Sequence, residues 1–175
     1  MLILVVGPSG AGKDTLLTAA REALSDDPRF QFVRRVITRP AQAGGEDHEA
    51  ITAEAFAARD FALQWQAHGL RYGIPAEAIT GQGVVVANVS RTVVADAAQR
   101  FPVRVIEVTA PSEVLAQRLA ARGREAAADV TARLARSVKL PEHIHIETVM
   151  NDGALSSAIE QFLAALSRAA AAAVS

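Results

Sequence analysis

The sequence predicts an α/β fold, a parallel sheet flanked by helices. Three observations carry this. Aliphatic runs at Leu2–Val6, Val84–Val89 and Val103–Thr109 read as strands buried on both faces, the pattern of a parallel sheet. Segments with helical spacing of apolar residues separate them. The first run leads directly into a glycine-rich turn, Gly7–Gly12, and then into an amphipathic segment.

The elements follow in order. Leu2–Val6 is the first strand. From Lys13 to Leu24 the apolar residues Leu16, Leu17, Ala20 and Leu24 recur at helical spacing. Phe30–Ile37 reads as a second strand. Thr38–His48 is polar, with Pro40 and a Gly44-Gly45 pair, and reads as a loop. Thr52 caps a short helix running to Ala58. Phe61–His68 is apolar enough to pack. Gly69–Pro75 reads as a turn-rich segment, and a short helix begins at Ala76. Val84–Val89 is a strand, Thr92–Gln99 a helix and Val103–Thr109 a further strand. Ser112 caps a helix reaching Arg122, with Val114, Leu115 and Leu119 at helical spacing. Ile144–Met150 alternates as a strand, Asn151-Asp152-Gly153 turns, and an amphipathic helix runs from about Ala154 to Leu166. The small apolar tail Ala169–Val174 reads as a fraying helix end.

The chain has 175 residues, half of them hydrophobic, which suits one domain with a real core. Lys and Arg total 18 against 19 Asp and Glu, a formal charge of -1 that disfavours a nucleic-acid partner. Absence of Cys excludes disulfides, zinc-thiolate sites and cysteine nucleophiles. No stretch reaches the roughly 20 apolar residues of a membrane span. The opening Met1–Val6 lacks the basic start of a signal peptide. A cytoplasmic protein without membrane contact is the expectation.

Gly7-Pro8-Ser9-Gly10-Ala11-Gly12-Lys13 fits G-x-x-x-x-G-K, a phosphate-binding loop. Glycines let backbone N–H groups turn inward, the following helix adds the positive end of its dipole, and Lys13 adds a mobile charge. Gly7 through Thr15 are therefore the expected ATP-binding residues. The residue after the lysine is Asp14 rather than the usual Ser or Thr. Two roles fit it: a ligand of Mg²⁺, which prefers oxygen, or an acid that complements the helix dipole. No Asp-x-x-Gly or Asn-Lys-x-Asp element is present, and the strand at Val84 ends in Asn88 rather than an acid. These absences argue against a nucleotide switch or motor and leave a small kinase.

Further motifs carry a resemblance. Gly7–Thr15 is similar to the loop of guanylate kinases. Val36-Ile37-Thr38-Arg39-Pro40 resembles that family's acceptor segment. Gly44–His48, Gln64-Trp65, His68–Gly73, Pro111-Ser112, Arg118–Gly123 and Asn151-Asp152 resemble further elements, in order along nearly the whole chain. The departures concern guanine reading. Gln64 stands where the family has an acid, His48 replaces a Tyr, Ile74-Pro75 replaces a Ser or Thr, and Asn88-Val89-Ser90 replaces Asp-x-Asp. With Gly12-Lys13-Asp14 in the loop and Tyr72-Gly73-Ile74-Pro75 in the pocket, the chain resembles the ribose 1,5-bisphosphate phosphokinases of phosphonate catabolism. That resemblance implies transfer of the ATP γ-phosphate to the 1-phosphate of ribose 1,5-bisphosphate, with Mg²⁺ as cofactor.

The resemblance implies a P-loop kinase fold with a small acceptor-binding flap and a lid. The core spans about residues 1–33 and 82–175, the flap about 34–81 and the lid about 121–136. Lys13, Arg122 and Arg133 are the implied catalytic residues. Arg39, Tyr72, Asn88 and Ser90 are the implied acceptor contacts. Arg118, Arg124 and Arg136 are weaker lid candidates, and Arg34, Arg35, Arg71 and Arg91 weaker acceptor candidates. Trp65, Phe56 and Phe61 read as flap packing, and His48 and His68 flank the pocket. The implied partners are ATP and a small phosphorylated sugar, with a homodimer left open. A nucleoside monophosphate kinase with relaxed base reading and a non-catalytic binding module are the alternatives at this point.

Overall fold

The computed structural model describes residues 1–40, 47–79, 81–121 and 138–174. Its centre is a five-stranded parallel sheet of β1 (Leu2–Val6), β2 (Phe30–Phe32), β7 (Val84–Asn88), β8 (Val103–Thr109) and β9 (Ile146–Met150), in the order β2-β7-β1-β8-β9. Strand β1 sits in the middle, and all five of its residues are buried. Its side chains alternate between faces. Ile3 and Val5 pack with Leu16 and Leu17 of α1 (Lys13–Ala23) and with Phe162 and Leu166 of α5 (Leu155–Ala173). Leu2, Leu4 and Val6 pack on the opposite face with Val94 and Ala97 of α3 (Val94–Arg100). Helix α4 (Ser112–Ala121) follows β8 and buries Leu115 and Leu119. This core is why the aliphatic runs and the helical periods were readable from sequence.

A four-stranded sheet is inserted between β2 and β7. It comprises β3 (Val36–Ile37), β4 (Glu49–Ala50), β5 (Phe61–Ala67) and β6 (Leu70–Pro75), in the order β4-β3-β6-β5. Its inner residues Ile37, Leu63 and Ile74 join the core cluster on the α3 face. The short helix α2 (Ala53–Ala57) is capped by Thr52, whose side-chain oxygen accepts from the Ala55 N–H at 3.2 Å.

Several sequence expectations need correction. Phe30–Ile37 is not one strand. Residues 33–35 carry the chain from the core sheet to the inserted sheet, so Phe30–Phe32 pairs with β7 and Val36–Ile37 with β6. Gly69–Pro75 is not a turn-rich segment but contains the whole of β6. The turn itself is His68-Gly69, with φ of 52° and 71°, the left-handed pair that a tight two-residue hairpin requires. Gly73 lies inside the strand because the Phe61 ring occupies its side-chain space: a Cβ there would meet Phe61 Cδ1 at 2.4 Å. The Leu115 N–H reaches the Pro111 carbonyl at 3.0 Å, so α4 starts at Ser112 and Pro111 takes the capping position. The Ala-rich tail is not a fraying end through Ala170. Helix α5 continues to Ala173, and Ala169 and Ala170 are buried because their small side chains fit under the sheet.

Candidate active site

The glycine-rich loop hangs between β1 and α1. Gly7 turns the chain where Val108 crowds it: a Cβ at Gly7 would fall 2.0 Å from the Val108 carbonyl oxygen. Gly12, at φ 88°, is the residue from which α1 starts, with no side-chain cap. The first-turn N–H groups of α1 therefore lack a capping side chain, the arrangement that receives anions. The Ala11 N–H donates to the Pro8 carbonyl at 3.2 Å. Lys13 donates its ammonium to the Gly7 carbonyl at 2.7 Å and the Pro8 carbonyl at 3.3 Å, folding over the loop.

Two side chains from distant segments brace this loop. Arg118 of α4 donates to the Gly10 carbonyl at 3.1 Å and to the Asn151 carbonyl at 2.7 Å. Asn151, buried after β9, donates from Nδ2 to the Ala11 carbonyl at 2.8 Å. Arg118 therefore serves the loop backbone rather than standing in a lid. The sequence displayed the Asn151-Asp152 pair but gave no sign of this contact, because it joins segments 140 residues apart.

The loop forms one wall of a cleft of about 680 Å³. Gly7, Ser9, Gly10, Gly12, Lys13, Asp14 and Thr15 face it, whereas Ala11 is buried behind and Pro8 contributes its carbonyl to the loop. The expected acceptor residues Arg39, Tyr72, Asn88 and Ser90 line the same cleft. Asn88, at the end of β7, donates from Nδ2 to the Asp14 carboxylate at 3.1 Å. Its Oδ1 is buried without a hydrogen-bond partner. Ser90 is partly committed elsewhere: its Oγ accepts from the Thr92 N–H at 3.3 Å and the Thr92 hydroxyl at 2.9 Å.

Trp65, read from sequence as flap packing, is buried but also lines the cleft. Trp65 and Tyr72 stack with centroids 5.5 Å apart and planes 8° apart, and both line the cleft, as does Arg35. Phe56 and Phe61 do serve as packing, stacked at 4.3 Å. His48 is buried away from the cleft lining, its Nε2 3.1 Å from the Arg39 carbonyl, so it shapes the backbone that carries Arg39. His68 lines the cleft from the β5–β6 turn, while Gln64 is exposed. Arg122, Arg124, Arg133 and Arg136 lie outside the described residues, as do Gly44 and Gly45.

Magnesium takes oxygen ligands and keeps several waters. The Asp14 carboxylate faces the cleft beside Lys13 and is held by Asn88 Nδ2, so this loop offers one oriented anionic oxygen group that fits a largely hydrated divalent cation. Among the described residues no cluster of three or more His, Asp or Glu forms a protein-only metal cage. No helix among them is long and apolar enough to cross a membrane.

A loop of this kind after the central strand, facing an inserted pocket across one cleft, defines the small P-loop kinases. A family model described as an AAA domain matches residues 2–141. A guanylate kinase structure from Anaplasma phagocytophilum has a TM-score of 0.64 at 16% identity, covering 97% of this chain and 86% of that one, so the fold is shared. Ribose 1,5-bisphosphate phosphokinase PhnN of Brucella melitensis is 49% identical over 170 residues, 92% of this chain and 88% of its own length. The protein of the same name from Methylobacterium radiotolerans is 50% identical over 173 residues, 94% and 96% of the two chains. The chain belongs to the ribose 1,5-bisphosphate phosphokinase family, within the AAA-domain P-loop proteins.

Proposed function

We propose that the protein transfers the γ-phosphoryl group of ATP to the 1-phosphate of ribose 1,5-bisphosphate, giving 5-phosphoribosyl 1-diphosphate and ADP. An oxygen of the 1-phosphate attacks the γ-phosphorus, the bond from that phosphorus to the β,γ-bridging oxygen breaks, and ADP leaves. One observation carries this reading beyond family membership. The cleft joins the loop to Arg39 and Tyr72, yet among its described lining residues the single carboxylate is Asp14, in the loop itself. The acceptor end holds phosphate and has no described acid to accept from guanine N–H groups.

The nucleophile needs no strong base, because the second pKa of a phosphate monoester lies at about 6. The obstacle is bringing one anion to another. Lys13 and the bare α1 N-terminus hold the donor phosphates, and Arg39 holds the acceptor phosphate. Asp14, oriented by Asn88, would hold the waters of a Mg²⁺ ion, which would supply charge neutralisation at the triphosphate. We assign Arg122 and Arg133 to the transferring phosphates on the sequence resemblance, in a lid over about 121–136. The division into a core of about residues 1–33 and 82–175 and a flap of about 34–81 belongs to the same proposal, with the flap binding the acceptor. A lid that excludes water would prevent hydrolysis of ATP. A cytoplasmic setting, where ATP is at hand, suits the reaction.

A coupled ADP-release assay tests this with ribose 1,5-bisphosphate, with GMP and with no acceptor. Turnover dependent on the sugar bisphosphate is the expected result. Rapid turnover of GMP alone overturns the reading in favour of a nucleotide kinase.

A further inference from the structure

Arg35 stands where the chain crosses from β2 to β3, between the core sheet and the inserted sheet. Its guanidinium carbon lies 5.2 Å from the centroid of the Tyr72 ring, and Tyr72 is stacked on Trp65. All three side chains line the cleft. The other acceptor-side arginines, Arg34, Arg71 and Arg91, are not among the described residues that line the cleft. Arg34 pairs with Asp47 at 3.0 Å and donates to the His48 carbonyl at 3.0 Å. Arg71 sits over the Phe56 ring at 5.1 Å, and Arg91 pairs with Glu107 at 3.2 Å. Among the described residues, Arg35 and Arg39 are the arginines that line the cleft.

A sugar carrying two phosphates presents two separate anions, of which only one reacts. Resting on the kinase reading above, we propose that Arg35 determines specificity by holding the acceptor's non-reacting phosphate, leaving Arg39 for the phosphate that is phosphorylated. The chemistry favours this division. A guanidinium presents parallel N–H donors that match two phosphate oxygens at once. Packing over Tyr72 restricts the Arg35 side chain before the ligand arrives, so less rotamer freedom is lost on binding. A substrate lacking that phosphate would leave the Arg35 interaction unmade, which is how a polar site discriminates strongly.

The test compares the full-length enzyme with Arg35→Gln and Arg35→Lys, using ribose 1,5-bisphosphate and ribose 1-phosphate as acceptors. Wild type is expected to prefer the bisphosphate. In Arg35→Gln, kcat/KM for the bisphosphate should fall about 10- to 100-fold, the size of a lost charge-assisted hydrogen bond, mainly through KM. Activity on ribose 1-phosphate and the KM for ATP should stay near their wild-type values, and Arg35→Lys should recover part of the loss. Ribose 5-phosphate should inhibit wild type more strongly than Arg35→Gln. Equal losses on both acceptors, or unchanged selectivity in Arg35→Gln, overturn the Arg35 assignment while leaving the kinase reading intact. Wild-type inactivity on the bisphosphate overturns the kinase reading and the assignment together.

Discussion

Asn151 Nδ2 donates to the Ala11 carbonyl at 2.8 Å, tying the end of β9 to the middle of the phosphate loop. Arg118 closes the arrangement by donating to Gly10 and to Asn151 itself. The loop's shape is therefore held by side chains as well as by its glycines. A loop that must direct several N–H groups at one anion benefits from being fixed before the anion arrives.

Asn151→Ala should weaken ATP binding. It leaves a buried carbonyl without its donor, a cost of about 1–3 kcal/mol. The expected outcome is a rise of roughly tenfold in the KM for ATP, with a lowered melting temperature. Arg118→Ala should act in the same direction, since it removes two bonds to the same brace. An unchanged ATP affinity in both variants would reduce the contacts to general packing.

Gly12→Ala should be more severe for nucleotide than for folding. Gly12 has φ 88°, where an L side chain is strained by about 1–2 kcal/mol. The new Cβ would also fall 2.5 Å from Asn151 Nδ2 and displace the brace. We expect loss of detectable ATP binding by calorimetry, with the far-ultraviolet circular dichroism spectrum retained.

The loop was legible because its chemistry is local: glycines, a lysine and a helix adjoin in sequence. The parallel core was legible because Val84–Asn88 and Val103–Thr109 are aliphatic throughout, a pattern fixed by burial on two faces. The inserted sheet was not, because Gly73 and Pro75 imitate a turn and because the reason for Gly73 is the Phe61 ring in its side-chain space, which composition does not reveal. The brace and the Arg35–Tyr72–Trp65 stack are tertiary, and nothing in the spacing of their residues announces them. The resemblance pointed to Arg39 and Tyr72, and Arg35 was one of four further acceptor candidates, of which the fold brings Arg35 to the same cleft.

Asp14 offers a test of metal handling. It lies beside Asn88 at the loop, with Asn88 Nδ2 fixing its orientation. Asp14→Ala should raise the Mg²⁺ concentration for half-maximal rate several-fold, and Asn88→Ala should do so less. The same order is expected in Mn²⁺ binding followed by water-proton relaxation in the presence of a non-hydrolysable ATP analogue. An unchanged metal dependence would make Asp14 a helix-end acid only.

The inserted sheet carries an acid-sensitive tie. Arg59 bonds Glu49 of β4 at 2.7 Å and Glu77, just after β6, at 2.8 Å. The hydrogen bond from Arg59 holds the Glu77 carboxyl below its ordinary value. The folded pKa is lowered, so the stabilisation is present above the unfolded carboxylate range and is lost as pH falls through the folded value. Glu77 is exposed, so the effect is small. Arg59→Met should lower the melting temperature slightly at neutral pH and reduce the difference between neutral and acid pH. Identical acid sensitivity in wild type and variant would remove the tie from the account.

The pH–rate profile tests whether the enzyme supplies a base. The acceptor phosphate loses its second proton at about pH 6, so kcat/KM should rise through that region and then level off. Among the described lining residues, His68 is the histidine, placed by the β5–β6 turn. It is a structural turn residue with φ 52°, not a proton acceptor in this scheme. His68→Asn, which tolerates the left-handed turn, should keep the same profile and most of the rate. A second ionisation near neutral pH that disappears in His68→Asn would show that the transfer needs a general base after all, and the view that charge neutralisation alone suffices would fail.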